Sequence, residues 1–339
     1  MSRLPRNQIL IGDTRDVLAT LPADSVDCVI TSPPYFRLRN YQEGRQIGLE
    51  AHVDDYVHEL LLIARKLARV LKPGGSFWLN LGDTFSRDLA QGAAEKSLVL
   101  APERLALALV GDGWILRNKV VWAKSNPMPT SVRDRLSCTH EVVYFFVREP
   151  RYFFDLDAIR APHTSSLTRP APAGRSSWSV PKAWRGPSTG SNTGLDGLKA
   201  QGLVGHPLGK NPGDVWPLAT AGYRGAHHAV FPEKLVERPL LATCPEKVCT
   251  RCGKPWQREP LKMLGHLALA GQLRAPCACN ATSRPGLVLD PFIGSGTVAS
   301  TATRLGRNWL GIELNPAFAD LAAERLSKLE NRPPPQMAA

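Results

Sequence analysis

Apolar positions along the chain follow two periods, one typical of helices and one typical of buried strands. Between Ala51 and Leu71 they recur every three or four residues, which predicts a helix with a buried face formed by Tyr56, Leu60, Ile63, Leu67 and Val70. The sequence "KPGG" is predicted to end this helix, and a second helix is predicted over 97–110. Short apolar runs predict strands at 26–30, 76–83 and 141–147, and a further strand is predicted from Gly113 through Trp122.

The two ends of the chain extend this pattern. Residues 7–31 are predicted to form a strand, a turn and a second strand. Residues 286–316 predict a strand, a glycine turn, a helix and another strand. A final amphipathic helix is predicted over about 316–330, with a buried face formed by Phe318, Leu321, Leu326 and Leu329. This alternation predicts an α/β fold with a doubly wound, mostly parallel sheet covered by helices.

Two stretches interrupt the alternation. Residues 161–213 are rich in Pro, Ser, Gly, Arg and Trp but poor in aliphatic residues, and long loops of this kind are usually functional or disordered. Residues 244–285 carry five of the seven cysteines. The chain is therefore predicted to divide into six parts. These are a first sheet-forming part (1–160), a basic Pro/Ser/Gly-rich stretch (161–213), a return to the sheet domain (214–243), a cysteine insertion (244–285), a second sheet-forming part (286–330) and a tail (331–339).

Charge narrows the class of partner. The 339 residues include 42 Lys and Arg against 30 Asp and Glu, and the net charge of +12 favours an anionic partner such as nucleic acid. A merely basic soluble protein is the alternative. No stretch has the length of a membrane span, and the first ten residues lack the apolar core of a signal peptide. The odd number of cysteines, with two close pairs, indicates a reducing compartment, so we expect a cytoplasmic protein without a membrane partner.

The glycine turn, Gly294–Ala299, has the pattern G-x-G-x-x-A between a predicted strand and a predicted helix. Glu313 follows Gly294 by 19 residues, which is the spacing of a Rossmann cofactor site whose acid accepts hydrogen bonds from ribose hydroxyls. Nicotinamide dinucleotides and S-adenosylmethionine both contain such a ribose, so the motif does not distinguish between them. The alternative without a cofactor is a glycine turn needed only for tight packing. Asp290 would repel a pyrophosphate but suits the ammonium of a methionine moiety, which favours S-adenosylmethionine.

The serine motif, Ser32-Pro33-Pro34-Tyr35, follows a predicted strand although its two prolines remove two backbone donors. It matches [DNS]-P-P-[YFW], and residues 292–296 match F-x-G-x-G, the two motifs of the DNA amino-methyltransferases. The sequence resembles that family over most of its length, except 161–213 and 244–285. Because the catalytic motif comes first, the order is similar to the permuted class β. The resemblance implies a Rossmann-like methyltransferase fold with a target-recognition insertion between its halves.

The resemblance also implies roles for the residues at matching positions. The catalytic residues would be Ser32, Pro33, Pro34 and Tyr35. Asp13 would line the adenine end of the cofactor site, although a turn-capping Asp is the alternative. The other residues expected to bind S-adenosylmethionine are Phe231, Pro232, Asp290, Phe292, Gly294, Gly296, Thr297 and Glu313.

The chemistry of an amino group explains the composition of the serine motif. The exocyclic amine of cytosine or adenine is conjugated with its ring, so acceptors placed around it help it to attack a methyl group. Ser32 Oγ and the Pro33 carbonyl are the predicted acceptors, and Tyr35 offers a face on which a flipped base stacks. In the family, SPPY is associated mainly with N4-cytosine and DPPY mainly with N6-adenine. We therefore predict N4-cytosine transfer without a covalent intermediate, with N6-adenine as the alternative.

Four cysteines have the spacing of a metal site. Cys249 and Cys252 form C-x2-C, and after 24 residues Cys277 and Cys279 form C-x-C. Four thiolates suit a structural zinc ion with no open position for catalysis, which predicts a zinc-ribbon-like insertion. Cys244 could replace one ligand, and ordinary reduced thiols are the alternative. Pro276-Cys277 is the only Pro-Cys pair that C5-cytosine transfer could use, and metal ligation accounts for it better.

The basic stretch 161–213 is the expected target-recognition region for double-stranded DNA, because basic residues bind phosphates and arginines read guanine edges. A disordered basic linker is the alternative. The residues concerned are Arg169, Arg175, Trp178, Lys182, Trp184, Arg185, Lys199 and Lys210. A DNA partner implies association with the nucleoid. A homodimer and a cognate restriction endonuclease acting on the same site are left open. Two rival classes of function are a nicotinamide oxidoreductase and a zinc-dependent DNA-binding protein with an inactive methyltransferase half.

Overall fold

The computed structural model describes residues 4–163, 206–221, 231–259, 262–264, 267–269 and 271–330. The tail at 331–339 and most of the basic stretch lie outside the described residues, and Lys210 alone of the eight basic and Trp residues singled out there is described. The chain divides into two compact units. The first consists of Met1–Asp155, Gly213–Gln257 and Leu273–Ala339, and the second of Leu156–Pro212 and Arg258–Gln272. The predicted cysteine insertion therefore contributes residues to both units.

The described helices and strands alternate along most of the chain. The helices are α1 (Thr14–Thr20), α2 (Val53–Val70), α3 (Ala101–Gly111), α4 (Glu233–Thr243), α5 (Thr297–Arg304) and α6 (Pro316–Glu330), with a short 3₁₀ helix at Leu89–Gln91. The strands are β1 (Gln8–Ile11), β2 (Val26–Thr31), β3 (Leu71–Leu81), β4 (Ile115–Lys124), β5 (His140–Val147), β6 (Val215–Leu218), β7 (Val248–Cys249), β8 (Gln257–Arg258), β9 (Lys262–Leu264), β10 (Leu267–Leu269), β11 (Leu273–Arg274), β12 (Ser283–Arg284), β13 (Leu287–Asp290) and β14 (Asn308–Glu313).

Eight of these strands form the central sheet, in the order β1-β14-β13-β2-β3-β5-β4-β6. Neighbouring strands run parallel except where β5 pairs with β3 and with β4. The prediction of a mostly parallel α/β sheet is therefore confirmed. Because the parallel strands β2 and β13 are neighbours, their last residues, Thr31 and Asp290, lie next to each other at the carboxyl ends of the strands.

Helices cover both faces of this sheet, so its central strands are buried on both sides. On β3, Phe77, Leu79 and Leu81 pack with α1, α2 and α3. Between them, Trp78 points to the other face, which is covered by α4, α5 and α6. Trp78 stacks on Phe145 with ring centroids 4.2 Å apart. Burial on two faces is why these strands are recognisable as continuous apolar runs in the sequence.

Three elements differ most clearly from the sequence predictions. The turn predicted within 7–31 is helix α1, which begins where the Asp13 side chain accepts a hydrogen bond from the Arg15 N–H. This helix has only seven residues, of which Thr14 and Leu18 are buried, so its period is too short to recognise. The "KPGG" segment does not form a loop after α2, because β3 begins at Leu71. Helix α3 begins at Ala101, four residues later than predicted, with Pro102 in its first turn.

The described part of the second unit contains few regular elements. Strands β9 and β10 pair antiparallel. Arg160 holds the other segment by an ion pair with Asp157 (2.6 Å) and a hydrogen bond to the Gly209 carbonyl (3.1 Å). Among the helices described in either unit, none combines the length and apolar character that crossing a membrane would need.

Candidate active site

A cavity of about 490 Å³ lies in the first unit, at the carboxyl ends of β2, β13 and β14. Its walls include Ser32, Pro33 and Tyr35 from the serine motif and Phe292 and Gly294 from the segment that follows β13. Both predicted motifs therefore meet in one cavity, at the strand ends where open α/β sheets bind their ligands. The volume lies within the range of small-molecule and cofactor sites.

The loop that carries the serine motif is held by contacts on both sides. On one side, the Thr31 hydroxyl donates to Asp290 Oδ1 at 2.6 Å, which ties β2 to β13 just before the motif. On the other side, the Tyr56 hydroxyl of α2 donates to the Pro34 carbonyl at 2.7 Å. Pro33 and Pro34 have no N–H, so these two residues donate no backbone hydrogen bond within the loop. These contacts fix the direction in which Ser32 faces the cavity.

Tyr35 lies at the centre of a polar network that sequence analysis did not predict. Its hydroxyl donates to Glu141 Oε2 at 2.6 Å and accepts from Asn80 Nδ2 at 2.8 Å. The Ser32 hydroxyl donates to the Tyr35 hydroxyl at 3.3 Å. Lys124 Nζ donates to the other oxygen of Glu141 at 2.6 Å. Burial, and then the charge of Glu141, raise the pKa of the Tyr35 hydroxyl well above its usual value, so it is protonated.

Asn80, Lys124 and Glu141 come from three neighbouring strands, β3, β4 and β5. Glu141 and Lys124 line the cavity, whereas Asn80 is buried behind it. One signal in the sequence marks this position, because Asn80 is a polar residue in the middle of the apolar run "SFWLNL". Here Nδ2, which carries two protons, lies within hydrogen-bond distance of three acceptors, Ser32 Oγ at 3.2 Å, Glu141 Oε2 at 3.0 Å and the Tyr35 hydroxyl at 2.8 Å.

The glycine turn forms the other end of the cavity. Gly294 and Gly296 have φ angles of +48° and +78°, in the left-handed region that favours glycine. The Gly294 N–H donates to Glu313 Oε2 at 2.9 Å, and the Asn315 N–H donates to Glu313 Oε1 at 3.0 Å. Burial raises the pKa of Glu313, and these backbone donors oppose the shift. The carboxylate thus lies against the turn, at the end of β14.

The cavity contains only part of the predicted cofactor set. Its lining includes Asp13, Phe231, Phe292, Gly294, Thr297 and Glu313, but not Pro232, Asp290 or Gly296. Pro232 precedes the first turn of α4. Gly296 caps the start of α5, and a Cβ there would lie 3.2 Å from Ala322 Cβ of α6, so its small size serves helix packing.

Asp290 and Asp13 show two different electrostatic environments. Asp290 is buried and its Oδ1 accepts from Thr31 and from the Phe292 N–H, so its carboxyl faces the protein interior and not the cavity. Burial raises its pKa to about 7. Burial would also raise the pKa of Asp13, but hydrogen bonds and charge from Arg15, with the charge of Arg45, lower it below its usual value. Asp13 therefore keeps its charge at the cavity wall.

The cysteine cluster, Cys249, Cys252, Cys277 and Cys279, has its four sulfur atoms within 4.8 Å of one another. The Gly253 N–H donates to the Cys249 carbonyl at 3.0 Å, and Gly253 has a φ of +71°, so the chain turns tightly after the first pair. The N–H groups of Cys252 and Arg251 lower the pKa of Cys249 to about 6. Four thiolates around zinc at about 2.3 Å would have sulfur–sulfur distances of about 3.8 Å, which the observed grouping can accommodate.

Known proteins with the same fold include two of solved structure. The PvuII DNA methyltransferase, which is cytosine-N4-specific, superimposes with a TM-score of 0.58 at 18% identity, covering 97% of this chain and 93% of that one. The Thermus thermophilus protein TTHA0409, in complex with S-adenosyl-L-methionine, superimposes with a TM-score of 0.51 at 21% identity, covering 97% of both chains. The sheet and its cavity thus define a methyltransferase fold.

Sequence comparison then identifies the family. The DNA methylase family model matches residues 26–324, so the chain belongs to the DNA methylase family and is a DNA methyltransferase. The type II methyltransferase M.SmaI of Serratia marcescens is 31% identical over 347 residues, which cover 96% of this chain and 92% of that protein. M.XycI of Xanthomonas campestris pv. cyanopsidis, another type II methyltransferase, is 33% identical over 337 residues, covering 93% and 86%.

Proposed function

We propose that the protein transfers a methyl group from S-adenosylmethionine to the N4 amine of a flipped cytosine in double-stranded DNA. The observation that carries this proposal is the hydroxyl of Ser32 in the same cavity as the glycine turn. A neutral hydroxyl occupies the position where other amino-methyltransferases of the resembled family have a carboxylate. It can both accept from an amine and donate to a ring acceptor, whereas an ionised Asp can only accept.

The glycine-turn end of the cavity has the chemistry that S-adenosylmethionine needs. Glu313 uses one position on each oxygen for the N–H groups of Gly294 and Asn315, and a carboxylate has about four acceptor positions, so capacity remains for ribose hydroxyls. Phe292 and Phe318 supply apolar surface for a flat ring. Asp13 lines the same cavity with its charge paired with Arg15 and Arg45, and its proposed role is to line the adenine end of the cofactor. S-adenosylmethionine, when bound, would supply a methyl group on a sulfonium sulfur.

The serine-motif end has the chemistry that the amine needs. Ser32 Oγ and the Pro33 carbonyl are acceptors that stabilise charge developing on the amine nitrogen. The ring of Tyr35 lines the cavity while its hydroxyl is bound to Glu141, so one side chain offers both a face for stacking and a fixed position. Holding the base in line with the methyl donor would provide much of the remaining rate enhancement.

The proposal extends to the partners and to the metal. The net charge of +12 supports binding to double-stranded DNA. In a bacterial type II system that DNA lies in the cytoplasm, so the proposed location of the protein is the cytoplasm. A cognate restriction endonuclease is the further proposed partner. The donor set of the cysteine cluster supports a structural zinc ion held by all four sulfur atoms. With four thiolate ligands the ion would have no open position, so its contribution would be to folding and not to methyl transfer.

The test is the chemical identity of the modified base. DNA carrying many sequences is incubated with the protein and S-adenosylmethionine, digested to nucleosides and measured by mass spectrometry, and we expect N4-methylcytosine. Ser32→Ala should abolish the product while binding to DNA persists, and Ser76→Ala, which removes a buried serine on β3 outside the cavity lining, is the matched control. N6-methyladenine in place of N4-methylcytosine would overturn the N4 assignment.

A further inference from the structure

Three side chains form a continuous line of hydrogen bonds from the cavity to a carboxylate. The Ser32 hydroxyl donates to the Tyr35 hydroxyl at 3.3 Å, and the Tyr35 hydroxyl donates to Glu141 Oε2 at 2.6 Å. Lys124 Nζ holds the second oxygen of Glu141 at 2.6 Å. Glu141 and Lys124 are both mostly buried, with exposed side-chain fractions of 14% and 21%.

The direction of these hydrogen bonds follows from the charge at the end of the line. An ionised carboxylate can only accept, so the Tyr35 proton must point to Glu141. The oxygen of Tyr35 is then free to accept, and it accepts from Ser32 and from Asn80. Ser32 Oγ, having turned its own proton toward Tyr35, presents lone pairs. Asn80, whose two amide protons are shared among three acceptors, uses at most one of them, so at least one remains for an amine in the cavity.

From this arrangement we infer that Glu141 accepts the proton released by the methylated amine, through the hydroxyls of Tyr35 and Ser32, and that Lys124 positions this carboxylate. The inference rests on the proposed transfer to an amine but not on which base carries it, because cytosine and adenine both release one proton. It gives a physical reason for the serine in the motif. An Asp in the motif would place a negative charge directly beside the amine. Here Glu141 carries that charge, and the hydroxyls of Ser32 and Tyr35 connect it to the amine.

The proton balance of the step is complete within these residues. As the amine nitrogen forms its bond to the methyl carbon, the carbon–sulfur bond breaks and its electron pair stays on sulfur. The nitrogen, now positively charged, gives one proton to Ser32 Oγ. Ser32 passes its own proton to Tyr35, and Tyr35 passes its proton to Glu141 Oε2. The carboxylate becomes a neutral carboxyl, which returns the proton to solvent before the next cycle.

The groups that face Glu141 come from each strand and loop packed against it. Lys124 of β4 is its cationic partner, Tyr35 is its titratable neighbour from the serine motif, and Asn80 of β3 is a neutral donor at 3.0 Å. Only the carboxylate can gain a proton during the step, because Lys124 has no acceptor position and Tyr35 already carries its proton.

The main experiment compares Glu141→Gln and Tyr35→Phe in single-turnover methyl transfer to DNA. Each should lower the rate by about 10²- to 10⁴-fold, because general base catalysis typically contributes that much. Since the two residues act in series, the double variant should be no slower than the slower single variant.

The chain contains a matched control. Lys119, Glu103 and Tyr144 form a similar line outside the cavity lining, with Lys119 Nζ 2.7 Å and the Tyr144 hydroxyl 3.3 Å from Glu103 Oε1. Glu103→Gln and Tyr144→Phe should leave the rate within about threefold of wild type. A Glu141→Gln rate within that range, or additive losses in the double variant, would overturn the inference.

A second measurement needs neither S-adenosylmethionine nor DNA. In protein containing 3-fluorotyrosine, the fluorine resonance that disappears in Tyr35→Phe belongs to Tyr35. That resonance should shift in Glu141→Gln, because the hydroxyl loses its charged acceptor, and should not move in Glu103→Gln. A Tyr35 resonance insensitive to Glu141→Gln would contradict the line of hydrogen bonds itself. Loss of all base methylation in the wild-type protein would instead count against the proposed function and leave this measurement intact.

Discussion

The Thr31 hydroxyl and the Asp290 carboxyl are hydrogen-bonded at 2.6 Å, although 259 positions separate them in the chain. Thr31 ends β2 immediately before the serine motif, and Asp290 ends β13 shortly before the glycine turn. Both side chains are almost completely buried. The bond therefore joins the two functional motifs inside the sheet and leaves the cavity surface to other residues. A second hydrogen bond, from the Thr14 hydroxyl to the Pro291 carbonyl, attaches the start of α1 to the same segment.

Replacing Asp290 with asparagine should change how stability depends on pH. Burial raises the pKa of Asp290 from 3.8 to about 7, so between these values the folded chain binds a proton that the unfolded chain has released. The contribution of this carboxyl to stability is therefore complete below about pH 4 and is lost as the pH rises toward 7. The asparagine amide cannot ionise but can still accept from Thr31. The unfolding free energy of Asp290→Asn, relative to wild type, should rise across this window by up to about 1.4 kcal/mol per pH unit.

Urea unfolding at several pH values measures this difference directly. Glu313, whose pKa is also raised by burial and whose charge adds to the shift of Asp290, contributes a decline of the same sign to both proteins, so the difference between them comes mainly from Asp290. Asp320→Asn, at an exposed position of α6, is the control, and its unfolding free energy should change with pH in parallel with that of wild type. Parallel curves for Asp290→Asn would mean that the buried carboxyl is ionised throughout.

Gly82→Ala should disturb Tyr35 without touching the substrate. A Cβ at position 82 would lie 2.6 Å from Tyr35 Cε2, closer than such contacts occur, and the hydroxyl of Tyr35 is held by Glu141 and Asn80. The ring must therefore move at the cost of those bonds. Methyl transfer should fall by at least about tenfold, and overpacking should lower the unfolding free energy by about 1–3 kcal/mol.

The rate of DNA methylation and urea unfolding are measured on the same preparation. Gly111→Ala is the matched control, because a Cβ there at the end of α3 has no atom within 4 Å. Methylation at the wild-type rate in Gly82→Ala would show that the position of the Tyr35 ring does not matter for the reaction.

The fold was predictable because most of its elements are long and buried on one or two faces. Helix α2 buries all five residues that its period indicated, and β3 and β5 alternate between two apolar layers. Helix α1 escaped prediction because seven residues with one buried Leu do not establish a helical period. The pairing that makes β5 antiparallel depends on contacts between distant strands, which a single sequence does not encode locally.

The site was predictable only where it is contiguous in sequence. The serine motif and the glycine turn are each short runs with their own backbone requirements, so they could be found from residue types and spacing. Glu141, Lys124 and Asn80 lie on three strands and meet only in the folded sheet. The place of Asp290 at a strand end predicts a role in cofactor binding. Its hydrogen bond to Thr31 comes from the neighbouring strand, and strand order cannot be deduced from one sequence.

Glu313→Ala should weaken binding of S-adenosylmethionine. The substitution removes the proposed acceptor for the ribose hydroxyls and leaves the Gly294 N–H without its partner at 2.9 Å. Hydrogen bonds to charged groups contribute about 1.5–3 kcal/mol, so the dissociation constant should rise by about 10- to 100-fold. Isothermal titration calorimetry measures it in the absence of DNA. Glu324→Ala, which removes an exposed carboxylate paired with Lys328, should bind as wild type does, and equal affinities in both variants would exclude Glu313 from the cofactor site.

Removing the proposed zinc ion should destabilise the protein without altering the methylation chemistry. We expect elemental analysis to find about one zinc per chain, since four thiolates complete a tetrahedral site. Cys252→Ser and Cys277→Ser should lose the metal, whereas Cys138→Ser, an exposed thiol outside the cluster, should retain it. A ligand at 100 times its dissociation constant stabilises by about 2.7 kcal/mol, so loss of tightly bound zinc should lower the unfolding free energy by at least that amount. Wild-type protein free of zinc, or Cys252→Ser as stable as Cys138→Ser, would identify the cluster as four reduced thiols.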